Sequence, residues 1–209
     1  DVRVRGTSAS SMFLKLDSSL DSRARSSVSL HDSDCDDVLD ISTLGTTDVA
    51  VRSARATDMF IKVDGSPNKS ARSSVSLVEV ACDGQLEIAA RGTTDVSGSQ
   101  LACVDLFLKL DNSLDRSASS SVKLTECVTK GQLSVETGDG PVRLELTRLT
   151  VQGPAEVQTG ARDDYLRILD SIFAGSVSLD GGAGRDTVQL SRNKFAVDPL
   201  LSNWENIQG

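Results

Sequence analysis

The hexapeptide Met12-Phe13-Leu14-Lys15-Leu16-Asp17 returns as Met59-Phe60-Ile61-Lys62-Val63-Asp64 and as Leu106-Phe107-Leu108-Lys109-Leu110-Asp111, each 47 residues after the last. The same shift carries Asp1-Val2 to Asp48-Val49 and Asp95-Val96, and Ser27-Val28 to Ser74-Val75 and Ser121-Val122. A sustained internal period means that each unit buries its apolar face only against its neighbours, which selects an elongated solenoid. The chain's 209 residues are then no guide to domain count.

Within each unit the apolar residues alternate with polar ones, as in Val2/Val4, Met12/Leu14/Leu16, Val28/Leu30 and Leu39/Ile41. That is strand periodicity, and no stretch reads as an amphipathic helix. The unit divides into two similar halves, Val49-Ala50-Val51 matching Val75-Ser76-Leu77 and Met59-Phe60-Ile61 matching Leu86-Glu87-Ile88. Each half is read as one coil. First strands fall at Val2, Val28, Val49, Val75, Val96, Val122, Val142, Leu166 and Val188, giving about nine coils of 20–26 residues. The expected fold is all-β, a single-domain parallel β-helix whose strands stack at about 4.8 Å. Residues 1–141 carry the two-coil repeat, and residues 142–209 continue the coils and supply a C-terminal cap. Trp204 is placed over the last coil, where Asn203-Trp204-Glu205-Asn206-Ile207 breaks the pattern.

After about residue 140 the repeat fades, yet Val142/Leu166/Val188, Leu144/Ile168/Leu190, Thr147/Ser171/Asn193 and Leu149/Phe173/Phe195 still align. Here the pattern resembles the right-handed parallel β-helix family, in which a polar ladder at a turn precedes a stacked aromatic column. The resemblance implies a right-handed solenoid. Gly181-Gly182-Ala183-Gly184-Arg185-Asp186-Thr187-Val188-Gln189 resembles the nonapeptide of calcium-binding RTX proteins. Over those nine residues the resemblance implies calcium on Asp186, helped by Asp180; a plain Gly-rich turn between coils is the alternative.

Two further columns matter. Tracing the Ser171 turn position upstream puts Cys127, Cys103, Cys82 and Cys35 in one line, so Cys82–Cys103 or Cys103–Cys127 lies within disulfide range. Small buried residues are the other reading. With Met12, Leu14 and Leu16 inward, Phe13, Phe60 and Phe107 point outward two coils apart, a candidate binding strip with Asp40, Glu87 and Ser134 between them. Against that, Leu20, Pro67 and Leu114 of three matched insertions are positioned to fold over the rings. Lys15, Lys62 and Lys109 form a parallel column, read as surface ion pairs with Asp40 or Glu136.

The net charge of −8, with 30 acidic against 22 basic residues and no Lys/Arg block, argues against nucleic acid. No apolar run is long enough for a membrane-spanning helix. The chain opens on Asp1 and a strand-like Val-x-Val, as a processed chain or an excised segment does, and export is an indirect inference from the acidic, Ser-, Thr- and Asp-rich composition. His31 beside Asp32, Asp34, Asp36 and Asp37 is the densest place for acid–base chemistry, but the next unit has Val78, Glu79, Ala81 and Asp83 there. The sequence therefore points to a non-enzymatic structural or adhesive module, extracellular or at the cell surface, resembling the repeat segments of large bacterial exported proteins. Its expected partners are an extracellular protein, a glycan or another copy stacked end to end through the Val2–Arg5 edge. A polysaccharide lyase or hydrolase is the alternative.

Overall fold

The computed structural model describes residues 1–17, 25–65, 72–112 and 119–209. Among the described residues there is no helix, and the strands form a 16-stranded and a 9-stranded sheet, all in parallel pairs. The nine-stranded sheet takes one strand from every coil, from Met12–Asp17 to Leu200–Ser202. The chain is thus a parallel β-solenoid of nine coils, and at about 4.8 Å per coil its axis runs roughly 40 Å.

The register fixes each coil. One inward column runs Val2, Val28, Val49, Val75, Val96, Val122, Leu144, Leu166, Val188 and Ile207. This corrects the expected start of coil seven, because Leu144 rather than Val142 stands in line, and Val142 pairs with Ser120. Side chains alternate with period two, so a slip of two residues keeps every apolar residue inward and leaves no trace in the hydrophobic pattern. Coil seven therefore contributes Leu149 to the Ser171/Asn193 line and Val151 to the Phe173/Phe195 line.

Every coil turns at one position. Gly6, Asp32, Ser53, Glu79, Gln100, Glu126, Arg148, Asp170 and Arg192 all have φ between 51° and 62°. A left-handed residue resets the alternation, so Leu30 and Ser33 both face inward, three residues apart. For a non-glycine this costs about 1–2 kcal/mol. Contacts between coils offset part of that: Ser53 Oγ donates to Glu79 at 2.9 Å, Arg148 to Glu126 at 3.0 Å, and Arg192 to Asp170. Just inside this turn Ser171 Oγ accepts from the Leu149 amide at 3.0 Å, and Asn193 Oδ1 accepts from the Ser171 amide at 2.9 Å. The polar ladder thus exists, and Phe173 stacks on Phe195 beside it with centroids 5.2 Å apart.

Between the sheets lies a continuous core of Leu, Ile, Val and Met, for example Leu30, Ile61, Leu86, Leu108 and Leu124, each 0–1% exposed. Each such side chain contributes about 1.5–3 kcal/mol by leaving water. At the far end Trp204 is buried and its indole donates to the Leu179 carbonyl at 2.9 Å. The segment around it does not break the ladder as expected, because Asn206–Gln208 adds a further strand against Thr187–Ser191. In the first coil the inward Val2, Val4, Leu14 and Leu16 are only half-buried, and Phe13 is 71% exposed.

Candidate functional site

The outward face of the nine-stranded sheet carries three matched lines. The first runs Phe13, Asp40, Phe60, Glu87, Phe107 and Ser134. Two residues along each strand comes Lys15, Ser42, Lys62, Ala89, Lys109 and Glu136. Two further on comes Asp17, Leu44, Asp64, Arg91 and Asp111. The 47-residue repeat therefore becomes a Phe-Lys-Asp motif on one flat face, recurring every two coils, about 9–10 Å. Phe60 and Phe107 are half-buried and Phe13 is open to solvent. Leu20, Pro67 and Leu114, the side chains placed over these rings by the sequence, lie outside the described residues.

The lysines do not behave as the sequence suggested. Among the described residues the ion pairs all use arginine, as in Arg25–Asp48, Arg55–Asp83, Arg72–Asp95 and Arg91–Asp111, and Lys15, Lys62 and Lys109 enter none. Glu136 stands beside Lys109 in register without closing a pair. Lys62 and Lys109 also flank depressions. Ala89 lowers the floor between Lys62 and Lys109, leaving a hollow of about 310 Å³ that Asp64, Arg91 and Asp111 complete. A second hollow, about 220 Å³, continues it past Phe60, Asp40 and Glu87. A third, about 300 Å³, continues it past Lys109 to Glu136 and Thr137. Together they make a shallow groove along the solenoid axis.

A different feature occupies the Gly-rich turn. In four coils the residue opening the first strand has a polar side chain that accepts from the backbone amide of the preceding coil. Ser73 Oγ accepts from Thr47 at 3.2 Å, Ser120 Oγ from Thr94 at 3.1 Å, Asp164 Oδ1 from Val142 at 2.7 Å and Asp186 Oδ1 from Asp164 at 2.7 Å. Glu205 closes the line on the Asp186 amide at 2.6 Å. Asp164 and Asp186 are 2% and 0% exposed, and the Oδ2 of each has no partner. The Thr159 hydroxyl beside Asp164 gives its proton to the Gly181 carbonyl at 2.6 Å. Burial is the main reason that the Asp164 carboxyl is pushed up to about 7, with Asp186 and Asp163 adding repulsion. Asp186 is raised as well, through burial first and then Glu205, Asp163 and Asp180. Sequence reading missed Asp164; the signal was the 22-residue step to Asp186 and the Ser120 and Ser73 upstream.

These residues do not fit a resident calcium ion, which takes about 6–8 oxygens. Asp180 Oδ1 already accepts from Gly182 N–H at 3.0 Å and Asn203 Nδ2 at 2.7 Å, which holds its carboxyl below the usual range. The turn carbonyls are spent between coils, Gly160 O on Ala183 N–H at 2.9 Å and Ala183 O on Arg162 N–H at 2.7 Å. Two orphan carboxylate oxygens remain, and among the described residues no group of three or more His, Cys, Asp or Glu converges. Neutralising that pair takes a proton.

The cysteines divide. Cys103 pairs with Thr129 and lies next to Cys82, whose neighbour on the other side is Ala56. Cys127 sits two residues out of that line, in step with Leu101 and Leu149, so it is no register neighbour of Cys103. All four cysteines are buried free thiols. Burial pushes Cys82 and Cys103 up to about 12 and Cys127 up to about 11. The His31 cluster is likewise not assembled: the ring hydrogen-bonds Ser29 Oγ at 2.8 Å, Asp32 pairs with Arg5, and Asp34 and Asp36 line another hollow with Arg55 and Asp83. Comparison of the chain with protein-family models, curated proteins and solved structures finds no match.

Proposed function

We propose that this chain is a non-enzymatic structural and adhesive module of an extracellular or cell-surface protein, a stiff rod that presents a periodic face to a repetitive partner. The observation that carries the reading is the Phe-Lys-Asp motif held three times on one outward sheet face by continuous parallel pairing. Core packing does not require Phe13, Phe60 or Phe107, since their side chains point away from the core, and their recurrence in one line makes that line the candidate contact surface. The acidic, Ser- and Asp-rich surface suits an exported protein. End-to-end stacking would use the outer edge of the first coil. That edge is also where a preceding coil of a longer chain would sit, so it adds no separate support.

The reading is checked by retention of the purified chain on a panel of immobilised polymers: a neutral glycan, an acidic glycan and a fibrous protein. At least one should retain the wild type. The triple variant Phe13→Ala, Phe60→Ala, Phe107→Ala should lose about tenfold or more in affinity, equivalent to about 1.4 kcal/mol, while melting at the wild-type temperature. Equal retention of both proteins would remove the strip as the working surface.

A further inference from the structure

The groove along the nine-stranded sheet says something about the chemistry of its partner. Its cations are point charges: Lys15, Lys62 and Lys109 project from the same line, two coils apart, with no acidic partner among the described residues. Unpaired ammonium groups spaced at about 9–10 Å ask for an anion at the same spacing. The residues between them exclude dense anions. Asp40 and Glu87 stand in the coils between the lysines, Glu136 follows Lys109, Asp17, Asp64 and Asp111 lie two residues along each lysine strand, and the chain as a whole carries −8. A polymer with a charge on every unit would meet these carboxylates at close range, where like charges repel. The same argument turns away nucleic acid and an anionic membrane surface.

A sparse polyanion satisfies both conditions. Two pyranose rings in an extended chain have nearly the length of two coils, so a carboxylate on every second sugar falls beside a lysine. The intervening neutral sugar then lies over Asp40, Ser42 and Glu87, which accept or exchange hydrogen bonds with hydroxyls. The adjacent Phe line offers ring surface to the C–H faces of the sugars. The hollow between Lys62 and Lys109, floored by Ala89 and about 310 Å³ in volume, is where a ring can sit.

We infer that the Phe13–Lys109 face binds a linear polysaccharide bearing one carboxylate per disaccharide, with Lys15, Lys62 and Lys109 each taking one carboxylate. This rests on the adhesive reading above and names its ligand class. Binding then grows with length in steps of one disaccharide, because each added carboxylate reaches another lysine at high effective concentration.

The experiment is calorimetric or interferometric titration of the full chain with four probes. These are hyaluronan di- and hexasaccharide, in which glucuronate alternates with a neutral sugar, the neutral cellohexaose, and a heparin hexasaccharide. The hyaluronan hexasaccharide should bind at least tenfold tighter than the disaccharide, cellohexaose and heparin. Lys62→Ala should weaken it about three- to tenfold with the melting temperature unchanged, and Lys123→Ala, on the other sheet, should leave it unaltered. Heparin binding as tightly as hyaluronan, or Lys62→Ala without effect, would overturn the inference. Cellohexaose binding equally well in a Phe-dependent way would overturn it too, while leaving the adhesive reading intact. If no probe bound yet the protein panel retained the chain through the three Phe residues, the glycan would be wrong and the surface right.

Discussion

Replacing Gly182 by alanine is expected to cost about 3–5 kcal/mol, because its position combines a left-handed backbone with the shortest approach to a neighbouring carbonyl among the glycines whose surroundings are described. Gly182 has φ +75°, and a Cβ there would stand 2.0 Å from the Gly160 carbonyl oxygen and 2.6 Å from that of Thr159. Both obstacles are backbone. Gly160 is hemmed in the same way, its own Cβ position lying 2.2 Å from the Gly138 carbonyl, so the turns are stacked at a distance that only glycine permits. Pushing them apart would stretch the Gly160–Ala183 and Ala183–Arg162 hydrogen bonds and undock the last coils. Gly6 supplies the control. It has φ +62° with nothing within 4 Å, so Gly6→Ala carries the strain without the clash and should cost about 1 kcal/mol. Chemical denaturation of both variants checks the difference, with early proteolysis after about residue 160 in Gly182→Ala alone. Equal losses would mean that backbone strain, not close stacking, sets the glycine requirement.

The second expected result concerns pH. In the folded chain the Asp164 carboxyl is pushed up to about 7, by burial first, against an ordinary value of 3.8. A carboxyl whose folded pKa is raised holds its proton more tightly when folded. Its favourable contribution is complete below about pH 4 and is lost as pH rises through about 7. The groups facing it are Asp186 from the next coil and Asp163 beside it, with Glu205, Asp180 and Asp163 facing Asp186 in turn. All are acidic, so only the Val142 amide and the Thr159 hydroxyl offset the charge once the proton leaves, and burial outweighs them. Asp164→Asn keeps an Oδ1 to accept from the Val142 amide and abolishes the charge. The variant should match wild type near pH 4 and exceed it by about 2–4 kcal/mol at pH 8, allowing for the coupling to Asp186. For a chain of this length that is roughly 5–12 °C in Tm. A stability difference that did not grow with pH would show that Asp164 is ionised and satisfied at neutral pH.

How much of this was legible in the residues follows from what a period-two pattern can encode. The 47-residue repeat and its alternation give the parallel solenoid and the outward Phe and Lys lines, and the 22-residue columns after residue 140 give the stacking of Phe173 on Phe195. They do not distinguish Val142 from Leu144, because both face inward and only the pairing partner differs. A two-residue slip of the same kind misplaces Cys103, Cys82 and Cys35, which stand in the Phe173 line, while Cys127 stands with Leu149 and Ser171. The left-handed residue in each coil was invisible for another reason: after Gly6 that position holds Asp, Ser, Glu, Gln or Arg, and no glycine marks it. The nonapeptide misled in a third way. Its glycines are there so that Gly160 and Gly182 stack without a side chain between them, and its Asp186 turns into a ladder of backbone amides rather than toward an ion. Burial of Asp164 depends on what lies above and below it in space, which a single line of residues does not state.

Recognition of a repetitive partner requires a rod whose coils stay in fixed register, so that one outward line keeps its spacing from end to end. The most direct measurement is the distance between spin labels at Lys15→Cys and Gln158→Cys, which stand on the same outward line six coils apart. The four native thiols are buried, with Cys82 and Cys103 pushed up to about 12, so the label goes to the introduced cysteines. A single narrow distance of roughly 29 Å, six steps of about 4.8 Å, is the predicted result, unchanged when the hyaluronan hexasaccharide is added. A broad distribution, or a mean displaced by a coil or more, would contradict the fixed spacing on which the proposed recognition depends.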